Sequence, residues 1–172
     1  RAARILDKKA HIVLGDINGS IRQWVNLFLN DKEYPEDMFV THEQARKIVD
    51  HDTVVVVVDT NRPSMTECSE ILNQTRTIVV LDHHRQSSEV IKNAVLSYIE
   101  PYASSACEMI AEILQYFADD IRLKGKEADC IYAGIIIDTN NFMAKTGVRT
   151  FEAAAFLRRC GADVTRVRKM FR

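Results

Sequence analysis

The sequence has few of the features that would place it in a specialised structural class. It has only four cysteines in 172 residues, and Cys68, Cys107, Cys130 and Cys160 are too widely spaced for a zinc motif or a dense disulfide framework. Its longest apolar runs, such as residues 54–58, are far shorter than the ~18 residues that suggest a membrane-spanning helix. Internal repeats and low-complexity segments are also absent. We therefore expect one globular domain with a sizeable core and reduced thiols.

Net charge is small, but the charged residues are unevenly distributed. The formal net charge is −1, yet residues 145–172 contain eight Lys or Arg against Glu152 and Asp163. A basic end of this kind attracts phosphate groups, or it is simply the solvated surface of a helix and a linker. The sequence leaves both interpretations open.

Apolar runs rich in β-branched residues alternate with segments of helical periodicity. Residues 53–59 and 77–82 are nearly continuous Val, Ile and Leu, which is typical of parallel strands buried on both faces. Shorter strand candidates lie at 11–15 and 94–100. Helical spacing follows these runs, and we favour a helix over a strand for 127–137. The pattern predicts an α/β fold, a mainly parallel sheet with helices on both faces.

Several helix starts can be predicted from capping residues. Thr41 stands three residues before Gln44 and predicts a capping box. Candidate caps for three further helices are Ser20, Ser104 or Ser105, and Thr150. Within the helix expected over 127–137, the small residues Ala133 and Gly134 suit close packing against a neighbouring helix.

Polar side chains stand where the two Val-rich strands end. Asp59 closes the first strand, Asp82-His83-His84 closes the second, and Asp138 ends a later apolar segment. Ligands of parallel α/β sheets bind beyond the carboxyl ends of the strands, so these groups should meet in one crevice. Mixed carboxylate and imidazole donors favour Mn²⁺, Fe²⁺, Co²⁺ or Zn²⁺ over Mg²⁺. Two ions bridged by one carboxylate can activate water for attack on phosphorus, and Asp59 is the candidate bridge.

A purely structural interpretation also exists for each of these residues. An Asp after a strand is often only a helix cap or part of an Asx-turn, which applies to Asp59 and Asp138. The Asp82-His83-His84 triplet is harder to explain in that way, because three polar groups at the end of a buried strand must be paired or bind a metal to offset desolvation.

Several longer motifs stand at and beyond the strand ends: Asp59 to Pro63, Asp82 to Arg85, Ile99 to Glu108, Asp138 to Phe142 and Lys145 to Glu152. Together they resemble the DHH phosphoesterase family, in particular its membrane-associated cyclic-di-AMP phosphodiesterases. The resemblance covers essentially the whole chain, and its motifs are specific in combination, whereas the triplet alone would be weak evidence.

The resemblance implies a centre of two Mn²⁺ ions, with Mg²⁺ or Co²⁺ as alternatives, that hydrolyses phosphodiester bonds. By position, the implied metal ligands are Asp59, His83 and Asp138. His84 and Arg85 are implied to face the phosphate, and Asp82 to orient a histidine from behind. Weaker candidates for substrate binding are Ser104, Ser105 and Arg149.

The sequence also departs from the family pattern. The family's first motif, His-x₃-Asp-x-Asp, supplies further ligands and is not found here, because His11 and Asp16 have the wrong spacing. The interpretation that follows is a partial DHH domain over 1–163, without its first strand and helix, and the start of a linker over 164–172. A second, substrate-binding domain would follow that linker. We expect a fragment without these parts to bind metal poorly and to turn over slowly.

The expected activity of the parent protein is hydrolysis of cyclic-di-AMP to the linear dinucleotide pApA. The alternatives are another DHH nuclease or pyrophosphatase, such as a nanoRNase acting on short oligonucleotides, and a catalytically incomplete nucleotide-binding or interaction module. We expect a cytoplasmic domain of a protein anchored in a bacterial membrane, and no binding of duplex nucleic acid. The strand edge left by a missing strand invites homodimerisation.

Overall fold

The computed structural model describes all residues from Arg1 to Arg172. The chain divides into two compact units. The sheet unit contains residues His11–Asp16 and Asp37–Tyr102, and the helical unit contains Arg1–Ala10, Ile17–Glu36 and Ala103–Arg172. None of the helices is long and apolar enough to cross a membrane.

Seven α-helices and five strands make up the regular structure. The helices are α1 (Ala2–Ile5), α2 (Gly19–Leu29), α3 (His42–Ile48), α4 (Ala106–Phe117), α5 (Gly125–Asp138), α6 (Val148–Arg159) and α7 (Val164–Lys169). The strands are β1 (Ile12–Val13), β2 (Phe39–Val40), β3 (Val54–Val58), β4 (Thr77–Asp82) and β5 (Ala94–Ile99). Two short 3₁₀ helices, Pro63–Met65 and Ser69–Asn73, lie between β3 and β4.

All strand pairs of the sheet unit are parallel, which confirms the predicted α/β class. β1 pairs with β2, and a three-stranded sheet has the order β3-β4-β5. Because parallel strands have their carboxyl ends at the same edge, the residues that follow β3, β4 and β5 share one side of this sheet.

The prediction that β3 is buried on both faces is wrong. Val55 and Val57 are buried, whereas Val54, Val56 and Val58 are about half exposed. The buried pair packs with Ile78 and Val80 of β4 in the core of the sheet unit. The opposite face of β3 is not covered within the chain, so one face alone is buried despite the uniform run of valines.

The helical unit has a core of small and aliphatic residues from α4, α5, α6 and α7. The predicted helix over 127–137 is confirmed as part of α5, and Ala133 and Ile135 are almost fully buried in this core. Residues 164–169, suggested as the start of a linker, form α7, and Val167 is fully buried. The domain boundary at 163 stays a prediction.

Two of the four capping predictions agree with the structure, and two differ. Thr41 and Gln44 form the expected capping box of α3, and Ser105 caps α4. The cap of α2 is Asn18 rather than Ser20, whose hydroxyl donates to the Asn18 side chain. Helix α6 begins at Val148, so Thr150 lies in its first turn, where its hydroxyl accepts a hydrogen bond from the Gly147 amide.

Candidate metal centre

Asp59 follows β3 in an unusual backbone conformation. Its φ is 65°, in the left-handed region that L-residues other than Gly, Asn and Asp rarely adopt. Its amide still donates to the carbonyl of Leu81 at 3.0 Å, so the ladder with β4 continues to this residue. The chain therefore turns sharply at the last paired position, and such strain is found preferentially at functional sites.

The turn brings the Asp59 carboxylate to His83, the first residue after β4. The distance from His83 Nε2 to Asp59 Oδ1 is 3.3 Å. The His83 side chain is mostly buried, with 11% exposed, whereas that of Asp59 is 60% exposed. A mostly buried imidazole and an accessible carboxylate therefore face the same point at the strand ends.

His84 completes a group of three potential metal ligands. One ligand atom each from Asp59, His83 and His84 lie within 4.8 Å of one another. The two imidazole rings are neighbours, with centroids 4.3 Å apart. One carboxylate oxygen and two imidazole nitrogens at this spacing suit a borderline divalent cation such as Mn²⁺ or Zn²⁺, so the residues present fit the metal that the sequence suggested.

Asp82 lies behind the histidines and is fully buried. Its Oδ1 accepts hydrogen bonds from the backbone amide of His83 at 2.9 Å and from the ring Nδ1 of His84 at 2.7 Å. The next strand is tied to the same residue, because the Glu100 amide donates to the Asp82 carbonyl at 2.9 Å. Asp82 thus orients the histidine pair without reaching solvent.

Arg85 is the next residue in the chain and is exposed. No carboxylate of the chain forms an ion pair with its guanidinium. An unpaired cation directly after the histidines is suited to a phosphate group.

Asp138, the third predicted metal ligand, belongs to the helical unit, where it is the exposed last residue of α5. The segment after it is strained, since Asn140, Asn141 and Phe142 all have positive φ. Thr139 holds this segment, because its fully buried hydroxyl accepts a hydrogen bond from the Phe142 amide at 2.9 Å. The ligand role of Asp138 stays a prediction.

The predicted substrate-binding serines also lie in the helical unit, and both are fully buried. Ser105 accepts a hydrogen bond from the Glu108 amide at 3.0 Å as the cap of α4. The Ser104 amide donates to the Glu108 carboxylate at 3.3 Å, and the same carboxylate accepts from the Thr150 hydroxyl. The contacts explain these residues as parts of a buried network, and a substrate role for either serine stays a prediction.

Arg149, the last predicted substrate contact, pairs with a carboxylate of α4. Its Nε donates to Glu112 Oε2 at 3.0 Å, and its Nη2 contacts the other oxygen of the same group. Both side chains are partly exposed. The role predicted for Arg149 stays a prediction.

Asn61 was not predicted as a site residue, although it lies within the Asp59 to Pro63 motif. Its side chain is 3% exposed and donates to Asp82 Oδ2 at 2.7 Å. An Asn two residues after a strand-end Asp is the only sequence signal, and the same signal occurs in ordinary Asx-turns.

Comparisons with known proteins point to one family. Residues 7–135 match the DHH family, N-terminal domain. The chain is 38% identical over 176 residues to the cyclic-di-AMP phosphodiesterase GdpP of Bacillus subtilis. This alignment covers 100% of the present chain and 26% of that relative. It is 45% identical over 130 residues to the protein of the same name from Geobacillus thermodenitrificans. That alignment covers 76% of the present chain and 20% of the relative.

A solved structure shows the same fold. It is the crystal structure of an exopolyphosphatase-related protein from Bacteroides fragilis, which superposes with a TM-score of 0.79 at 17% identity. The superposition covers 98% of this chain and 48% of that chain. The present chain therefore corresponds to part of each longer protein that it resembles.

Proposed function

The chain belongs to the DHH family, and from this premise we propose that it is the metal-binding part of a phosphodiesterase that opens cyclic-di-AMP to linear pApA. In this reaction water adds across one P–O3′ bond. The hydroxyl group ends on phosphorus and the proton on the departing O3′. The observation that carries the proposal is the cluster of Asp59, His83 and His84 at the carboxyl ends of two adjacent parallel strands.

The proposed metal content is two Mn²⁺ ions. Asp59, with an accessible carboxylate, is the proposed bridging ligand, and His83 and Asp138 are the proposed ligands of individual ions. When bound, divalent cations supply Lewis-acid polarisation of the phosphate and neutralise the charge that develops during attack. The donor types support a borderline cation.

The other side chains of the site bind and orient the substrate. The exposed Arg85 guanidinium pairs with the phosphate that is attacked, and the His84 ring faces the same phosphate through Nε2. Preorganised donors of this kind stabilise developing charge in the transition state. Asp82 keeps the His84 ring in place from its buried position.

The identity of the substrate follows the relatives, which are cyclic-di-AMP phosphodiesterases by name and are 38% and 45% identical to this chain. We propose that the full-length protein carries the first metal motif and the substrate-binding domain outside these residues, and that it is anchored in the bacterial membrane with this part in the cytoplasm. Homodimerisation is a further proposal, which the uncovered face of β3 supports.

Metal titration and hydrolysis together test the proposal. Calorimetric Mn²⁺ titration of the full-length protein should show two bound ions, and His83→Ala should lower affinity at least about tenfold. His51→Ala is the matched control, because His51 is an exposed histidine of the same unit outside the cluster. An equal loss in both variants, or none in His83→Ala, would contradict the ligand assignment.

Substrate competition separates the alternatives. The proposal predicts that the full-length protein converts cyclic-di-AMP to pApA, and that linear dinucleotides are poorer substrates. Cleavage of short linear oligonucleotides in preference to the cyclic compound would favour a nanoRNase-type nuclease. Nucleotide binding with no turnover at saturating Mn²⁺ would favour a catalytically incomplete binding module.

A further inference from the structure

The Asp82 carboxylate is fully buried, so both of its oxygens need hydrogen-bond donors. Two of them, the His83 amide and the His84 ring Nδ1, share Oδ1. The remaining oxygen, Oδ2, accepts from Asn61 Nδ2 at 2.7 Å. Asn61 is thus the side chain that fixes the second oxygen and, with it, the rotation of the carboxylate plane.

Asn61 holds His84 by a second contact as well. The same Nδ2 donates to the backbone carbonyl of His84 at 3.3 Å. The backbone carbonyl of Asn61 accepts a hydrogen bond from the Ile91 amide at 3.2 Å, which ties this residue to the segment before β5. The side-chain amide of Asn61 therefore connects the segment after β3 both to Asp82, which holds the His84 ring, and to the His84 backbone.

The side-chain carbonyl oxygen of Asn61, Oδ1, is buried and has no hydrogen-bond partner. An amide flip does not relieve this, because it would place Oδ1 2.7 Å from the Asp82 carboxylate and also against the His84 carbonyl, which are both acceptors. A buried acceptor without a donor is unfavourable. An asparagine is tolerated here because its donors satisfy Asp82, which indicates a role in that contact.

The consequence concerns the tautomer of His84. An ionised carboxylate only accepts hydrogen bonds, so a neutral His84 must carry its proton on Nδ1. Nε2 then keeps its lone pair, on a side chain that is 57% exposed. We propose that Asn61 is a positioning residue that, through Asp82, holds His84 in the Nδ1–H tautomer and so presents the Nε2 lone pair to a metal ion or to a hydrogen-bond donor at the phosphate. This assignment rests on the proposed function only for the identity of that ligand.

Histidine ¹⁵N chemical shifts test the tautomer directly in the ¹⁵N-labelled 172-residue chain without metal or nucleotide. At mildly alkaline pH, His84 should show a pyrrole-type Nδ1 and a pyridine-type Nε2. Asn61→Ala should produce a mixture of tautomers at His84. Asn93→Ala is the matched control, because Asn93 is an asparagine of the same unit that donates to the Leu72 carbonyl and does not contact Asp82, and it should leave the His84 shifts unchanged.

Two results would overturn the assignment. One is a wild-type His84 protonated on Nε2, which needs no variant and holds whether or not Asn61→Ala folds. The other is an unchanged Nδ1–H tautomer in folded Asn61→Ala. If Asn61→Ala does not fold, Asn61→Ser replaces it, since the shorter hydroxyl does not reach Asp82 Oδ2 and should give the same mixture.

Kinetics of the full-length protein separate this assignment from the proposed function. Asn61→Ala should lower kcat about 10- to 100-fold with little change in KM, as expected for a group that orients another. A wild-type protein without hydrolytic activity would contradict the proposed function and leave the tautomer result standing. An unchanged kcat in Asn61→Ala would contradict the positioning role even if cyclic-di-AMP is the substrate.

Discussion

Gly134 on α5 allows α5 to pack closely against α4, and an alanine there should destabilise the protein. An ideal Cβ at this position would lie 2.2 Å from the Sγ of Cys107 and 3.1 Å from its Cβ. Atoms do not approach so closely, so α4 and α5 must separate or Cys107 must change rotamer. Overpacking of this kind costs about 1–3 kcal/mol, and the severe overlap favours the upper end.

The intrinsic helix propensity of alanine acts in the opposite direction. Replacing a helical glycine by alanine gains about 1 kcal/mol, so the expected net loss for Gly134→Ala is about 2 kcal/mol. For a chain of this size that lowers Tm by about 4–8 °C. Gly19→Ala is the control, because Gly19 begins α2 and an added Cβ would meet nothing within 4 Å. This control should be neutral or stabilising.

Urea and thermal unfolding followed by circular dichroism would measure these effects in a double-mutant cycle. Cys107→Ala removes the Sγ atom, so Gly134→Ala in that background should recover most of the loss. Gly134→Ala that is as stable as wild type would refute the packing argument. The same loss with and without the Cys107 sulfur would show that another contact is responsible.

Three further predictions concern a helix cap, a buried ion pair and a buried thiol. Thr41→Ala removes the capping box with Gln44 and should lower the free energy of unfolding by about 1 kcal/mol in urea titrations; no change would show that the box is unimportant. Arg166→Met leaves Asp129, which is 4% exposed, without its guanidinium partner. It should lower the free energy of unfolding by about 2 kcal/mol in the same assay, whereas an unchanged value would mean that solvent replaces the arginine. Burial, with a smaller contribution from the Asp129 carboxylate, raises the pKa of the Cys130 thiol to about 12. Its thiolate is therefore scarce at neutral pH, and mass spectrometry should show slow alkylation by iodoacetamide in the folded chain and fast alkylation in urea; equal rates would contradict the burial.

The chemistry at the strand ends could be predicted from the sequence because two simple regularities coincide. Runs of β-branched residues mark the strands, and parallel strands place their carboxyl ends at the same edge of a sheet. Asp59 and the Asp82-His83-His84 triplet therefore had to lie close together, and they do. The capping box of Thr41 could be predicted for a similar reason, since it depends only on residues three apart.

Other features depend on tertiary contacts that have no sequence pattern. The exposed side of β3 carries the same valines as its buried side, so composition does not reveal which face is covered. The left-handed φ of Asp59 and the bond from Asn61 to Asp82 depend on residues more than twenty positions away. Thr150 looks like a helix cap in the sequence, but helix α6 starts two residues earlier and uses its hydroxyl in the first turn.

The central claim is that Asp59 and His83 hold a divalent cation at the ends of β3 and β4. Anomalous scattering from crystals of the chain grown with Mn²⁺, collected on both sides of the manganese absorption edge, tests it most directly. The account predicts a manganese peak within bonding distance of both Asp59 Oδ1 and His83 Nε2, and its loss in His83→Ala crystals. Manganese peaks found only elsewhere on the protein, with none between these two side chains, would contradict it.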